Sequence, residues 1–455
     1  MQEKGRKQPE IEGIVRISQC MIVKNEEENI ERALSWGKGI VSEQIVVDTG
    51  STDQTMEIAR RMGAKVYEFP WINDFAAAKN YAISKAKYEW IAFLDADEYF
   101  SHEDAQKLLY YVKGLQNTSY DNLMTSLVNL DRRGNIMSVI TQCRIFRNLP
   151  NLRYEGKIHE HLIMTDESSI VTADASKELT ICHTGYAKGE QKRIRNRSLI
   201  KAELLKNPND YRMLGYLGSD YHESKQYEKA EQTLRKALSL IPEQERKLYG
   251  QATSRTALLL LITMAENPKT DRLALMEIYQ RVTDYWPGEA DYDYIMGRYY
   301  VSLGDFIHGE QHLKQALDIL EKYGYGNQSA LLSAEIKKAW ELLSVCCFNN
   351  GNLSGCVSYG MMLLKEDPYL MSTLMVLLRA FCKDLEGSGQ GEEGAVQVAA
   401  LLGRTFYHYE NLKDRLFVLR AAMAADYRSL VQVIKKELFT SEELSAVEQS
   451  LGNNK

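Results

Sequence analysis

Four short apolar runs near the start of the chain, ISQCMIV (17–23), QIVVD (44–48), KVYEF (65–69) and EWIAFLD (89–95), alternate with stretches such as 28–35 and 54–62 whose apolar residues recur at helical spacing. Strand, helix, strand in that order argues for a parallel sheet covered on both faces. After position 122 the helical patterns thin out. SLVNL, VITQCRIF and ELTICHTGY look like further strands, expected to form a mixed-sheet edge that completes a site.

From about Lys188 the chain reads as almost wholly helical, and a repeat is legible. Leu217, Gly218, Tyr221, Ala230, Leu234, Ala237 and Pro242 stand where tetratricopeptide repeats carry their L-G-x-x-Y, A, F/L, A and P positions. Met296, Gly297, Tyr300, Leu313 and Ala316 repeat the scheme, and Trp340, Leu343, Cys347, Cys356 and Pro368 form a degraded third copy. Small residues let the two helices of a hairpin approach closely, and several stacked copies are needed because one pair cannot bury its apolar face alone. The glycine-rich SGQGEEG (388–394) reads as a flexible loop. The expected organisation is a polar tail over 1–15, an α/β domain over 16–190 and an all-α repeat domain over 191–455. At roughly 150 residues per domain, 455 residues are enough for about three domains.

Composition narrows the function classes. With 44% hydrophobic and 26% charged residues the chain is neither disordered nor collagen-like. A net charge of −6 makes no electrostatic case for nucleic acid. No apolar run approaches the roughly 18 residues of a membrane span, and the polar start MQEKGRKQPEIEG lacks a signal-peptide core. The seven scattered cysteines include no CxxC pair, so reduced thiols and a cytoplasmic location are expected.

Three polar clusters fall at the ends of three of the strands. In FLDADEYF, Asp95 and Asp97 follow an apolar strand one residue apart, and in extended geometry they would point to the same side. Ligands of open α/β sheets bind at that end, and hard oxygen donors there suit Mg²⁺ or Mn²⁺ bridging a diphosphate. In VVDTGSTDQT, Thr52 or Asp53 caps the next helix, whereas Asp48 at the strand terminus suits hydrogen bonds from a ribose or base. In VKNEEENI, Asn25 and Glu26 occupy the same edge. Each cluster alone has a structural explanation as a cap or a solvated acidic turn; three on one sheet edge are harder to dismiss.

C-M-I-V-K-N-E-E, I-V-V-D-T-G-S-T-D-Q-T, N-D-F-A-A-A-K-N and F-L-D-A-D-E, at these spacings, resemble family 2 glycosyltransferases of the GT-A fold. Y-E-G-K-I-H-E-H-L, I-C-H-T-G-Y and K-R-I-R-N-R extend the likeness to the subgroup that joins this domain to tetratricopeptide helices and includes S-glycosyltransferases of sublancin-like glycocin peptides. The resemblance covers roughly 17–197. It implies that Asn25, Glu26, Asp48 and Ser51 line a nucleotide pocket and that Asp74, Lys79 and Asn80 shape the nucleotide-sugar site, with Lys79 toward the diphosphate. Asp95 would contact ribose or sugar, Asp97 would hold the metal with Asp95 and His183, and Lys192, Arg195 and Arg197 would cover the pyrophosphate, unless they form a solvated basic helix face.

The reaction so implied is inverting transfer of a hexose or N-acetylhexosamine, most simply from a UDP-sugar, to a peptide or protein side chain. A divalent ion and nearby cations stabilise the departing diphosphate, and a base takes the acceptor proton. Glu160 is the first candidate base, with His159 and His161 as alternatives; in an extended segment Glu160 would face away from both. A Cys thiol would need less help than a Ser or Thr hydroxyl, since its free pKa is about 8.5. The helical repeats would position a peptide acceptor or support a homodimer. Competing expectations are transfer to a lipid-linked or surface polysaccharide precursor, and a non-catalytic scaffold.

Overall fold

The computed structural model describes residues 15–131, 133–185, 189–246, 252–323, 330–387 and 389–452. Of the expected polar tail only Val15 lies among them, and it is buried. The chain divides into two compact units, Met1–Lys206 and Asn207–Lys455. The division falls after the helix Gly189–Lys206, which sequence had placed in the second domain; its contacts assign it to the first.

The first unit runs β1 (Ile17–Val23), α1 (Ile30–Ser35), β2 (Glu43–Asp48), α2 (Thr55–Arg61), β3 (Lys65–Glu68), α3 (Phe75–Lys85), β4 (Trp90–Phe93), β5 (Glu98–Phe100), α4 (His102–Leu115), β6 (Asn122–Leu130), β7 (Ile136–Arg147), β8 (Leu152–Glu155), β9 (His161–Met164), β10 (Thr172–Asp174), β11 (Thr180–His183) and α5 (Gly189–Lys206). The main sheet is ordered β3-β2-β1-β4-β7-β6-β11-β5, with β10 also on β6, and β8 and β9 make a separate pair. β3, β2, β1 and β4 are mutually parallel. β7 enters antiparallel to both β4 and β6, which makes the expected mixed edge.

Alternation along the strands builds the two faces. Met21, Val23 and Val46 pack with Ile30, Leu34 and Ile58 of α1 and α2. Cys20, Ile45, Val47, Ile91 and Phe93 pack on the other side with Ala82 and Ile83 of α3. Full burial of such side chains contributes roughly 1.5–3 kcal/mol each. The register sets Val23 beside Asp48 and Cys20 beside Phe93, so the loops after β1, β2 and β4 leave from one edge.

The second unit is helical. Its first hairpin, α6 (Tyr211–Glu223) and α7 (Tyr227–Leu240), closes on the repeat glycine: a Cβ at Gly218 would lie 2.5 Å from the Leu234 side chain. The hairpin Ala290–Ser302 with Phe306–Tyr323 repeats this, with Gly297 at 2.6 Å from Leu313. In the third, Ile336–Asn349 with Leu353–Glu366, the small residues change partners, Ser344 donating to the Cys356 carbonyl at 3.1 Å. The glycine-rich segment is only partly a loop. Gly391–Thr405 is a helix, so residues 391–394 form its first turn, and Ser388 lies outside the described residues. None of the seven cysteines is in a disulfide. Among the described residues no helix is long and apolar enough to cross a membrane.

Candidate active site

At the edge where β1 and β4 end lies a cavity of about 460 Å³. Of the expected site residues, Glu26, Lys79, Asp95, Asp97, His159, Glu160, His183, Lys192 and Arg195 line it. Asn25, Asp48, Ser51, Asp74, Asn80, His161 and Arg197 do not.

The absent ones have definite tasks. The Asn25 amide donates to Ser51 Oγ at 2.9 Å, and Asn25 Oδ1 accepts from Thr52 N at 2.8 Å, so the loops after β1 and β2 are stitched together. Asn25 makes this possible with φ of 55°, a left-handed conformation that Asn tolerates. Asp48 Oδ1 accepts from the Gly50 and Ser51 amides, both at 2.8 Å, which turns the chain out of β2; its buried Oδ2 has no hydrogen-bond partner among the described residues. Asp74 caps α3 by accepting from Ala77 N at 2.8 Å. The Asn80 amide grips the backbone of Tyr154 on both sides, at 2.8 and 3.0 Å, and so holds β8 against α3.

The acids of the D-x-D converge for a reason other than the one expected. The strand ends at Phe93, and 95–98 is a turn closed by Glu98 N donating to the Asp95 carbonyl at 3.0 Å. Alternation along an extended chain therefore does not bring Asp95 and Asp97 to one cavity; the turn does. Their surroundings also differ. Asp95 faces Arg144 at 2.8 Å and Lys79 at 3.8 Å. Partial burial works to raise its carboxyl, but the Arg144 and Lys79 charges hold it well below the usual carboxylate range. Arg144 also pairs with the buried Glu98, whose carboxyl burial pushes up against that guanidinium. Lys79 is buried between the rings of Phe93 (5.1 Å) and Tyr154 (4.9 Å) and binds Glu160 at 2.7 Å. Burial works to lower this ammonium, but Asp95, Tyr154 and Glu160 keep it above its ordinary value, so it stays charged.

Asp97 looks the other way. Its Oδ2 lies 3.5 Å from His183 Nε2 and 3.3 Å from Lys192 Nζ. The His183–Asn129 pair (2.6 Å) fixes the ring, because the Asn129 amide nitrogen donates to Ser138 Oγ at 2.8 Å and turns its oxygen toward Nδ1. Nδ1 thus carries the hydrogen and Nε2 faces Asp97. Gly185 is required here, since any Cβ would collide with Asp97 Oδ2.

The expected ligand trio does not form. Among the described residues no three His, Cys, Asp or Glu side chains converge as a metal-holding group, because Asp95 is committed to Arg144 and Lys79. The remaining pair, a carboxylate oxygen beside an imidazole nitrogen, still fits a small divalent ion, which usually takes one or two protein ligands and completes its shell with phosphate oxygens and water.

The K-I-H-E-H-L segment is not extended through His159, whose φ is 54°, so the condition under which Glu160 would face away from both histidines is not met. His159 and Glu160 consequently both line the cavity, while His161 begins β9 and is exposed. Burial lowers the His159 imidazole below its ordinary value, which favours the neutral form.

Several cavity residues were not named as site residues from the sequence: Arg144, Gln142, and the aromatic pair Trp71 and Phe75, with ring centroids 4.8 Å apart. Arg195 lies 5.0 Å over Phe75. A lone arginine inside the apolar run VITQCRIF was a usable signal. A β-bulge falls there, since Leu123 faces Ile145 and Met124 faces Cys143, so Arg144 has no cross-strand partner and turns to Asp95 and Glu98.

Residues 18–157 match glycosyl transferase family 2, and residues 211–244 match a tetratricopeptide repeat. A TPR repeat-containing protein of Synechococcus elongatus is 30% identical over 217 residues, 45% of this chain and 52% of that protein. The SPbeta prophage-derived glycosyltransferase SunS of Bacillus subtilis is 30% identical over 283 residues, 60% of this chain and 64% of that protein. The chain thus spans between half and two thirds of these relatives' length. Among solved structures, TarS 1–349 of S. aureus matches 60% of this chain and 90% of its own, at 14% identity and a TM-score of 0.33. Residues 18–157 thus match a glycosyl transferase family 2 domain, and the region after the first unit is helical and includes a tetratricopeptide-repeat match.

Proposed function

We propose that the protein transfers a sugar from a nucleotide sugar, most simply a UDP-hexose or UDP-N-acetylhexosamine, to a Cys, Ser or Thr side chain of a peptide or protein, with inversion. The observation that carries this is one cavity, at the strand ends of a family 2 domain, that holds both the Asp97–His183 pair and the carboxylate of Glu160. The peptide acceptor is supported by the resemblance of the chain's motifs to the subgroup that includes glycocin S-glycosyltransferases and by the repeat match that follows the domain.

Asp97 and His183 would hold Mg²⁺ or Mn²⁺, which when bound supplies positive charge against a diphosphate. The chain's own cations do related work: Lys24, Lys192 and Arg195 line the same cavity, where they attract the diphosphate and stabilise charge on the departing nucleotide. Trp71 and Phe75 offer apolar faces for a base or a sugar ring. Asp95, kept ionised by Arg144 and Lys79, is placed to orient sugar hydroxyls. As the bond from the anomeric carbon to the diphosphate lengthens, the acceptor attacks from the opposite face and Glu160 takes its proton, with neutral His159 as the alternative base.

The test is incubation with UDP-sugars, Mn²⁺ and candidate Cys-, Ser- and Thr-containing peptides, with mass spectrometry of the peptides and assay of free UDP. Glu160→Gln should slow transfer by about 10²–10⁴-fold and leave UDP binding intact. Transfer at the unchanged rate would remove Glu160 from the mechanism, and failure of every nucleotide sugar to bind would overturn the proposal.

A further inference from the structure

β7 is longer than the strand beside it. β4 pairs only with Ile145, Phe146 and Arg147, so from Ile136 to Arg144 one edge of β7 has no strand against it among the described residues. Because β7 runs antiparallel to β4, this free stretch projects past the end of β4, on the side where the cavity lies. Gln142 and Arg144 of this same strand line the cavity. Farther along, Ile136, Met137, Val139 and Ile140 are between 42% and 67% exposed, an unusual density of aliphatic side chains at an open edge.

The backbone groups facing outward can be identified. Met124 accepts from Ala175 N and Ser126 donates to the Leu179 carbonyl, so these two residues of β6 turn their backbones away from β7. Thr125, Leu127 and Asn129 therefore face β7, opposite Gln142, Ile140 and Ser138. The amides and carbonyls of Val139 and Thr141 point to the free edge.

We infer that the acceptor peptide binds as an added β-strand along residues 137–143 of β7, with apolar side chains of its own against Val139 and Ile140 and its acceptor residue delivered past Gln142 into the cavity. This rests on the peptide-acceptor function proposed above and deepens it. Residues 137–143 span about 24 Å at 3.4 Å per residue, the length of a short bound strand. Its continuity with the cavity selects the occupant, because a strand laid on this edge leads directly to Arg144, Asp95 and Glu160.

Proline at an outward-facing position removes a donor from the free edge without breaking the β6 ladder. Val139→Pro and Thr141→Pro are therefore compared with the unaltered protein on a synthetic library of 12-residue peptides centred on Cys, Ser or Thr. Sugar transfer is read by mass spectrometry, and UDP-sugar hydrolysis without peptide serves as the check on folding. The expected result is at least a tenfold loss of kcat/KM for peptide with hydrolysis unchanged. In a second arm, single N-methyl groups are walked along the best peptide, and transfer should fall at every second position on one side of the acceptor residue. Equal transfer by the proline variants, or no two-residue period in the N-methyl series, overturns edge binding while leaving the peptide-acceptor function standing. Hydrolysis without transfer to any library member overturns both. A change from dimer to monomer in the proline variants, with peptide transfer intact, assigns the edge to a second copy and overturns the inference.

Discussion

Arg144 shows how little of a buried charge is visible in the residue itself. It stands between Asp95 and Glu98, and Glu98 is only 2% exposed, so removing the guanidinium leaves a carboxylate unpaired in the interior. Arg144→Met should cost about 3–5 kcal/mol in urea unfolding, and adding Glu98→Gln should restore much of it. Glu43 makes a contrasting case away from the cavity. Burial works to raise its carboxyl, but hydrogen bonds from Lys65, the Lys87 amide and Ser18 hold it below the usual range. A depressed acid stabilises the fold above its unfolded pKa of about 4.3 and loses that contribution as pH falls through the lower folded value. Glu43→Gln should therefore destabilise at pH 7, by about 1.5–3 kcal/mol, and by much less near pH 3. Unfolding curves at the two pH values check this. At this scale Asp95 and Asp97 were conspicuous in sequence as acids following a strand, whereas Lys79, in the middle of α3, was reached only through the family resemblance. Asn25 and Asn80 were expected at the cavity and instead brace neighbouring backbone, because an amide that holds a loop and one that binds a ligand look alike until their partners are seen.

At the scale of elements, the strands and helical hairpins were readable because their side-chain periods, two and 3.6, are written directly in the chain. The repeat was readable through its small residues. A methyl at Gly218 or Gly297 has no room beside Leu234 or Leu313. Gly218→Ala should lower the stability of the helical unit by about 1–3 kcal/mol. Combination with Leu234→Ala should cost less than the two separate losses summed, as thermal melts of the four proteins would show. Elements whose geometry depends on a neighbour were less legible. The turn at 95–98, the bulge at Arg144 and the left-handed His159 each break the regular alternation on which facing was inferred, and each redirects a side chain into the cavity.

For the whole molecule, the two units have separate cores, with Phe93, Ile45 and Ile91 in one and Leu260, Tyr292 and Leu343 among those of the other. A ligand of the first cavity should accordingly stabilise the first unit. UDP with Mn²⁺ at a hundred times its dissociation constant should add about 2.7 kcal/mol to that unit's unfolding free energy. Calorimetry should show its transition move while that of the helical unit stays, and Asp97→Asn should abolish the movement. What the amino-acid order determined unaided was the alternation of strand and helix, the change to helical hairpins and the edge where polar residues gather, because all of these are local periodicities. What only the tertiary structure decided was which of those polar residues share a cavity, and that Arg144 from a distant strand joins them. Such choices depend on partners some 46 to 95 positions away in the chain, whose approach is governed by register, turns and packing, and no local period encodes it.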